Sequence, residues 1–343
     1  MIQMNYGDTE HREQLEKTFV ALLDNAEERQ KTWAKLRKKL YELNGDFKRL
    51  LPTQLKMMMI LPYTKLAEIY DAYIALDIDN DLHLKLKELF SYTKEKGGKF
   101  SALSDSIIDF FKNKDNGFDI HTCHYCDMTY INYFQYEEFT KNGKRKGTRT
   151  QFDLDHVLDK GRCPLVALSL YNLVPACPTC NGPHIKGKRV MDVTLRQRQK
   201  LSPTSNLYDF DNQVKIWIRP KTDKIPNRDF LQHMDDYELY FDTLADTDYD
   251  KEIDFLYLNE RYNYHKCEAL RLADLKLKYS PSKIKEMARL ICSIKEKQNE
   301  MTPIANMITD QIRRDIFGLD FSNEHHRAFH KLRKDILNFR DEE

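Results

Sequence analysis

Two short cysteine pairs carry the most explicit chemistry in this 343-residue chain. Cys123 and Cys126 stand in HTCHYCDMT, and Cys177 and Cys180 in PACPTCNGP. A C-x-x-C turn lets two thiolates reach one tetrahedral ion at about 2.3 Å, so two such turns complete a four-sulfur zinc site. Thioredoxin-like redox chemistry is the rival for either pair alone, but two pairs in one short region fit it poorly. Between the pairs lie 50 residues holding Asp153, the Asp155-His156 pair and Asn172, and Asn181 and His184 follow the second pair. Asp155 offers a hard oxygen ligand for a Mg²⁺-like ion. His156 offers an imidazole that is largely neutral at pH 7 and accepts a proton. Singly, each has a plainer reading: a loop acid or helix cap for Asp155, a surface histidine for His156, a turn residue for Asn172 or His184, a solvent-facing strand residue for Asp153. Cys163, Cys267 and Cys292 have no such neighbours and read as buried structural thiols.

Composition narrows the class. Eleven Gly and 11 Pro exclude collagen-like and low-complexity chains, and 18 Phe with 19 Tyr are too many aromatics for a disordered one. The longest apolar run, residues 57–61, stops at Pro62, far short of the roughly 20 residues a bilayer-spanning helix needs. The opening MIQMNYGDTEHREQ lacks the features of a secretory signal, so a cytoplasmic protein without a membrane segment is expected. The formal charge of +1 hides a contrast: residues 121–200 hold 13 Lys/Arg against 7 Asp/Glu, and residues 201–260 hold 6 against 14. A basic middle suits a polyanionic partner.

Helices must position these residues from both sides. Apolar positions at Leu15, Phe19, Leu22, Leu23, Ala26, Trp33, Leu36 and Leu40 predict an amphipathic helix over 10–43, broken near Asn25. Helical spacing recurs around 55–74, 82–94 and 104–112, and again over 264–297 and 303–316. TYINYF and TRTQFDLD, joined by KNGKRKG, read as a hairpin with a basic turn, and VKIWIRP and YELYFDT as strands. Tyr125, Tyr130 and Tyr133 read as packing around the zinc and the sheet. The fold class expected is α+β, with a helical region at 1–118, a zinc-stapled core at 119–200 and a mixed, then helical, region at 201–343.

In FDLDHVLDK, LSLYNLVPAC and CNGPHIKGKR, set within two C-x-x-C pairs, residues 121–190 resemble the HNH endonucleases of the ββα-metal class. The resemblance implies that His156 is the general base and Asp155 a ligand of the catalytic divalent cation, Mg²⁺ or Mn²⁺, both at the end of the second hairpin strand. It gives Asn172 the task of bracing the loop that orients the base, and Asn181 that of a further metal ligand. Family members read C-N-x-x-K-G where this chain reads C-N-G-P-H-I-K-G, so His184 is a second candidate for that ligand. Hydrolysis of a phosphodiester suits such a set: one cation neutralises the phosphate and leaving oxygen while a separate base activates water. Lys141, Lys144, Arg145, Lys146 and Arg149 on the hairpin, with Lys186, Lys188 and Arg189, are expected to flank the site and hold nucleic-acid phosphates.

The expected activity is therefore endonucleolytic, with double-stranded DNA favoured and 3′-OH and 5′-phosphate products. IDFLYLNERYNYHKCEALR also resembles the segment downstream of the motif in HNH proteins of retron- and Septu-type anti-phage systems, which implies a defence role beside an ATPase partner. Two alternatives stay open: a ribonuclease using the same residues, and a non-catalytic zinc module that binds nucleic acid or protein through its helical arms.

Overall fold

A computed structural model of the chain describes residues 1–92, 100, 103–118, 120–140, 143–224, 229–244, 247–294, 301–317 and 327–337. It is a mixed α and β structure, and the described residues form three two-stranded sheets. The residues divide into two compact units: Met1–Phe210 with Asp248–Leu256, and Asp211–Thr247 with Tyr257–Glu343.

In the first unit seven helices precede the strands: α1 (Thr9–Val20), α2 (Ala26–Leu43), α3 (Phe47–Leu50), α4 (Leu55–Met59), α5 (Tyr63–Ile74), α6 (Asn80–Leu89) and α7 (Ser104–Lys112). The break expected near Asn25 is there: this residue takes φ 47, a left-handed conformation that Asn tolerates better than most, and it separates α1 from α2. Leu15 and Phe19 of α1 and Trp33, Leu36 and Leu40 of α2 are buried, as their spacing predicts. Pro62, which lacks a backbone donor, separates α4 from α5. Asp8 and Asp79 cap α1 and α6 by accepting from the amides of His11 and Leu82 at 2.9 and 2.8 Å.

The strands β1 (Tyr133–Thr140) and β2 (Gly143–Thr150) form the expected hairpin, but its boundaries differ from the sequence reading. The basic segment is itself strand β2 rather than a turn, with Glu137 opposite Lys146 and Glu138 opposite Arg145. Among the described side chains, Lys144 with Glu137 and Arg149 with Glu138 form ion pairs between the two strands. The second correction concerns Asp155 and His156. They are not on the hairpin: the chain bends at Gln151 and Phe152, and Asp153–His156 forms a separate strand, β3, antiparallel to β4 (Leu173–Ala176). All four residues of β4 are buried, so β3 gains an apolar partner that β1 could not offer. After β4 come α8 (Pro178–Asn181) and α9 (Leu195–Lys200); α10 (Phe210–Gln213) spans the boundary, its last three residues belonging to the second unit, and α11 (Tyr249–Phe255) returns to the first.

The second unit pairs β5 (Val214–Pro220) with β6 (Tyr237–Thr243) in full antiparallel register, at the limits predicted from VKIWIRP and YELYFDT. Among the described residues there follow α12 (Leu258–Tyr264), α13 (Lys266–Lys278), α14 (Pro281–Ile294), α15 (Met301–Phe317) and α16 (His330–Leu337). Both open edges of the ribbon are closed by side chains. Asn259 and Asn263 of α12 accept from the amides of Phe241 and Leu239 at 3.1 and 2.7 Å, and Asp335 of α16 accepts from that of Ile216 at 2.9 Å. Leu272, Ile284, Phe317 and Leu337 join the helices in one core. Cys267 is exposed, against the expectation of a buried thiol, while Cys163 is buried; the side chain of Cys292 lies outside the described residues. No helix among the described residues is long and apolar enough to cross a membrane.

Candidate metal centre and adjoining cavity

The two C-x-x-C turns converge. The sulfurs of Cys123, Cys126, Cys177 and Cys180 all lie within 4.8 Å of one another, and all four residues are buried. Four sulfurs around a zinc ion at about 2.3 Å stand roughly 3.8 Å apart, so the thiols are gathered on the scale that this ion demands. Local backbone explains the gathering. The first turn closes with the amide of Asp127 donating to the carbonyl of Cys123 at 2.9 Å, helped by a positive φ of 53 at Asp127. In the second, Cys177 precedes α8 and its sulfur accepts from the amide of Cys180 at 3.4 Å. The amide of Cys177 donates to the sulfur of Cys123 at 3.2 Å and that of His124 to the carbonyl of Pro175 at 3.4 Å, tying the first turn to β4. Donors aimed at sulfur favour the thiolate, the form that binds metal. Four mutually close, buried cysteines can hold one metal ion, and the donor set is compatible with structural zinc.

Beside this centre lies a cavity of about 600 Å³ whose wall includes Asp153, Asp155, His156 and Asn181. All four residues of β3, Asp153 to His156, line it. Tyr125, between the first two cysteines, donates its hydroxyl to Oδ2 of Asp155 at 2.6 Å. Burial and the neighbouring carboxylate push its phenol well above the ordinary value, so it stays a neutral donor. Lys186 also donates to Oδ2 of Asp155, and to the carbonyl of His156 at 2.6 Å. The ion pair is well enclosed, with side-chain exposures of 13% for Lys186 and 8% for Asp155. Asn181 donates from Nδ2 to Asp153 at 3.1 Å, which fixes the orientation of its amide oxygen.

Among the described residues, a hydrogen bond and a stacked ring hold the imidazole of His156. Its Nε2 lies 3.0 Å from the carbonyl oxygen of Ala167; a carbonyl can only accept, so Nε2 carries the proton and Nδ1 keeps the lone pair. The ring stacks on Tyr92, centroids 5.3 Å apart at 20°. Burial lowers the imidazole pKa below its ordinary value, against the opposing pull of the Ala167 hydrogen bond and the Asp155 carboxylate, so the neutral ring prevails at pH 7. The loop that supplies Ala167 is braced by Asn172, which is fully buried. Its Oδ1 accepts from the amide of Leu158 at 2.7 Å, and its Nδ2 donates to the carbonyls of Leu158 and Val166 at 3.1 and 3.0 Å. Asn172→Ala therefore removes three buried hydrogen bonds and leaves the amide and carbonyl of Leu158 without their side-chain partner, while the Val166 carbonyl keeps the amide of Ser169; chemical denaturation is expected to show a loss of about 2–4 kcal/mol.

The remaining sequence candidates divide. Lys186, Lys188 and Arg189 line the cavity. Lys186, expected to reach for phosphate, instead rests on Asp155. Lys186→Met leaves that carboxylate enclosed with one donor, and without added divalent cation is expected to cost about 3–5 kcal/mol in a denaturant titration. His184 is exposed and lies outside the cavity wall, whereas Asn181 is part of it. On the hairpin, Lys144 pairs with Glu137, and Arg149 pairs with Glu138 at 3.6 Å and stacks over Tyr136. Lys141 and the side chains of Arg145 and Lys146 lie outside the described residues. Tyr130 is exposed rather than packed, and Tyr133 bonds the carbonyl of Lys112 at 2.8 Å. Sequence reasoning missed the hydrogen bond of Tyr125, and it missed Tyr92 and Lys160 altogether. Lys160 stands only four residues after His156 and was open to notice, but Tyr92 is 64 residues away and carries no local signal. No protein-family model, curated protein or solved structure matches the chain.

Proposed function

We propose that the chain is a metal-dependent HNH-type endonuclease, with the antiparallel pair β3–β4 and the short helix α8 as a ββα-metal core stapled by zinc. The observation that carries this reading is the convergence on one cavity of Asp155, His156 and Asn181 beside the four-cysteine centre, with Asn172 bracing the loop behind the base.

His156, proton on Nε2 and lone pair on Nδ1, is equipped to take a proton from water. The Ala167 carbonyl keeps the ring from turning and steadies the imidazolium once formed. Asp155 and Asn181 would hold a divalent cation: Oδ1 of Asp155 receives no hydrogen bond among the described residues, and the Asn181 oxygen is oriented by Asp153. When bound, Mg²⁺ or Mn²⁺ supplies charge neutralisation for the phosphate and the departing oxygen. Lys186 then has a second partner available in the phosphate itself, and Lys188 and Arg189 add positive charge to the same wall. Double-stranded DNA is the favoured substrate, and the proposed setting is defence against phage beside an ATPase partner.

The ion pair between Lys186 and Asp155 favours a second reading, a zinc module without catalysis, because an ammonium already neutralises the carboxylate that a cation would need. One experiment separates the two. Purified protein is incubated with plasmid, single-stranded DNA and total RNA, with Mg²⁺ or Mn²⁺, beside the His156→Ala variant. The nuclease reading expects cation-dependent cutting that the variant lacks while retaining its fold and zinc. Absence of cutting on all three substrates, or equal cutting by the variant, refutes it. Cutting of RNA alone assigns a ribonuclease.

A further inference from the structure

Lys160 follows β3 on the loop braced by Asn172, and its backbone is pinned by a turn. The side chain of Asp159 accepts from the amide of Gly161 at 2.7 Å, and its carbonyl accepts from the amides of Arg162 and Cys163 at 3.2 and 3.0 Å. The side chain lines the same cavity as His156. Its ammonium bonds the hydroxyl of Tyr92 and sits 4.2 Å from the centre of that ring, whose plane in turn stacks on the His156 imidazole. Two consecutive contacts, imidazole to phenol and phenol to ammonium, thus keep Lys160 beside the proposed base.

This cation has no anionic partner among the described residues: no carboxylate lies within ion-pair distance of it, whereas the neighbouring cavity cations Lys186 and Arg198 are paired with Asp155 and Asp71. Burial, with a smaller contribution from the charge of Lys87, depresses its pKa. A partly enclosed ammonium without a counter-charge is unfavourable in the free protein. A ring face and a hydroxyl compensate only in part. Such an arrangement is one an anionic ligand improves.

We propose that Lys160, presented by Tyr92, binds a phosphate of a nucleic-acid strand next to the phosphodiester addressed by His156. This rests on the nuclease reading and extends it by a contact on the His156 side of the cavity, opposite in sequence to the basic run after α8. Lys144 and Arg149 of the hairpin, already paired with Glu137 and Glu138, are secondary to it.

The test uses the full chain without added Mg²⁺ or Mn²⁺, so that nothing is cut. Binding of a labelled 20-base-pair duplex and of its single strand is followed by fluorescence anisotropy over a series of salt concentrations. Lys160→Met is expected to weaken binding about tenfold and to flatten the dependence of log Kd on log salt by about one unit, with Lys160→Arg close to the parent. Its thermal midpoint is expected to hold or rise, because an unpaired ammonium is removed. Unchanged affinity and slope in Lys160→Met overturn the proposal, as does a fall in thermal midpoint that Lys160→Arg restores without restoring affinity. If the parent cuts nucleic acid through His156 while Lys160→Met binds normally, this inference fails and the nuclease reading stands. If the parent binds neither strand form, this inference fails, and the nuclease reading is decided by the cleavage assay on plasmid, single-stranded DNA and RNA.

Discussion

Removal of the metal from the four-cysteine centre, by a strong chelator or by Cys177→Ser, is expected to unfold the part of the first unit that carries the cavity. Structural zinc contributes apparent binding free energies of about 10–16 kcal/mol, as large as the whole stability of an ordinary domain. The damage follows from position. Cys123 and Cys126 bracket Tyr125, so loosening their turn withdraws the hydroxyl from Asp155. Cys180 immediately precedes Asn181, and the carbonyl of Cys180 accepts from the amide of Lys186 at 3.1 Å, so the same loss frees both residues on the other side of the site. Elemental analysis should find one zinc per chain in the parent and none in the variant, with the near-ultraviolet dichroism of the variant collapsed. A chelated protein with an unaltered melting curve would remove the staple from the account.

Replacing His156 by Ala is expected to lower the cleavage rate by about 10²–10⁴-fold, the usual contribution of a positioned general base. The pH profile of the parent gives a second readout. Because burial lowers the imidazole pKa, the base form persists below the ordinary value of about 6.5. The rate should rise with pH along a limb whose midpoint lies under that value, then level off. The stability consequence has a defined sign. Unfolded His156 takes up a proton near pH 6.5 whereas the folded residue resists it, so its contribution is intact above about 6.5 and is lost as pH falls towards the folded pKa. His156→Ala should therefore lose less stability than the parent over that window, measured by urea titration at pH 7.5 and pH 5.5.

Much of the frame was legible because its signals are local. Spacing of large apolar residues placed α1, α2 and α7, and alternation placed β5 and β6 at their limits. The cysteine spacing announced a shared centre, since a C-x-x-C turn commits two thiols before any tertiary contact is known. The strand carrying Asp155 and His156 was misplaced for a physical reason. TRTQFDLD is continuous in composition, and nothing in it marks the bend at Gln151 after which β3 turns to β4. Pairing choice belongs to the partner strand, and Leu173–Ala176 lies 17 residues beyond His156 at its nearest. Tyr92 and Lys186 were hidden for a related reason: one is distant in sequence, and the other was read by charge alone, which gives its sign but not which anion it meets.

The first unit is assembled from two stretches of chain, the second of which, Asp248–Leu256, comes only after the ribbon of β5 and β6 has been made. That late stretch is α11, and it delivers Glu252, Phe255 and Leu256 to the cavity wall, with Glu252 accepting from the hydroxyl of Tyr208 at 2.9 Å. A nascent polypeptide emerging from the ribosome therefore displays both cysteine pairs and the Asp155-His156 strand well before it can seal the chamber around them. Fragments trimmed at the end of the zinc-binding segment would keep the cysteine pairs and the Asp155-His156 strand but lack the part of the cavity wall that Glu252, Phe255 and Leu256 supply.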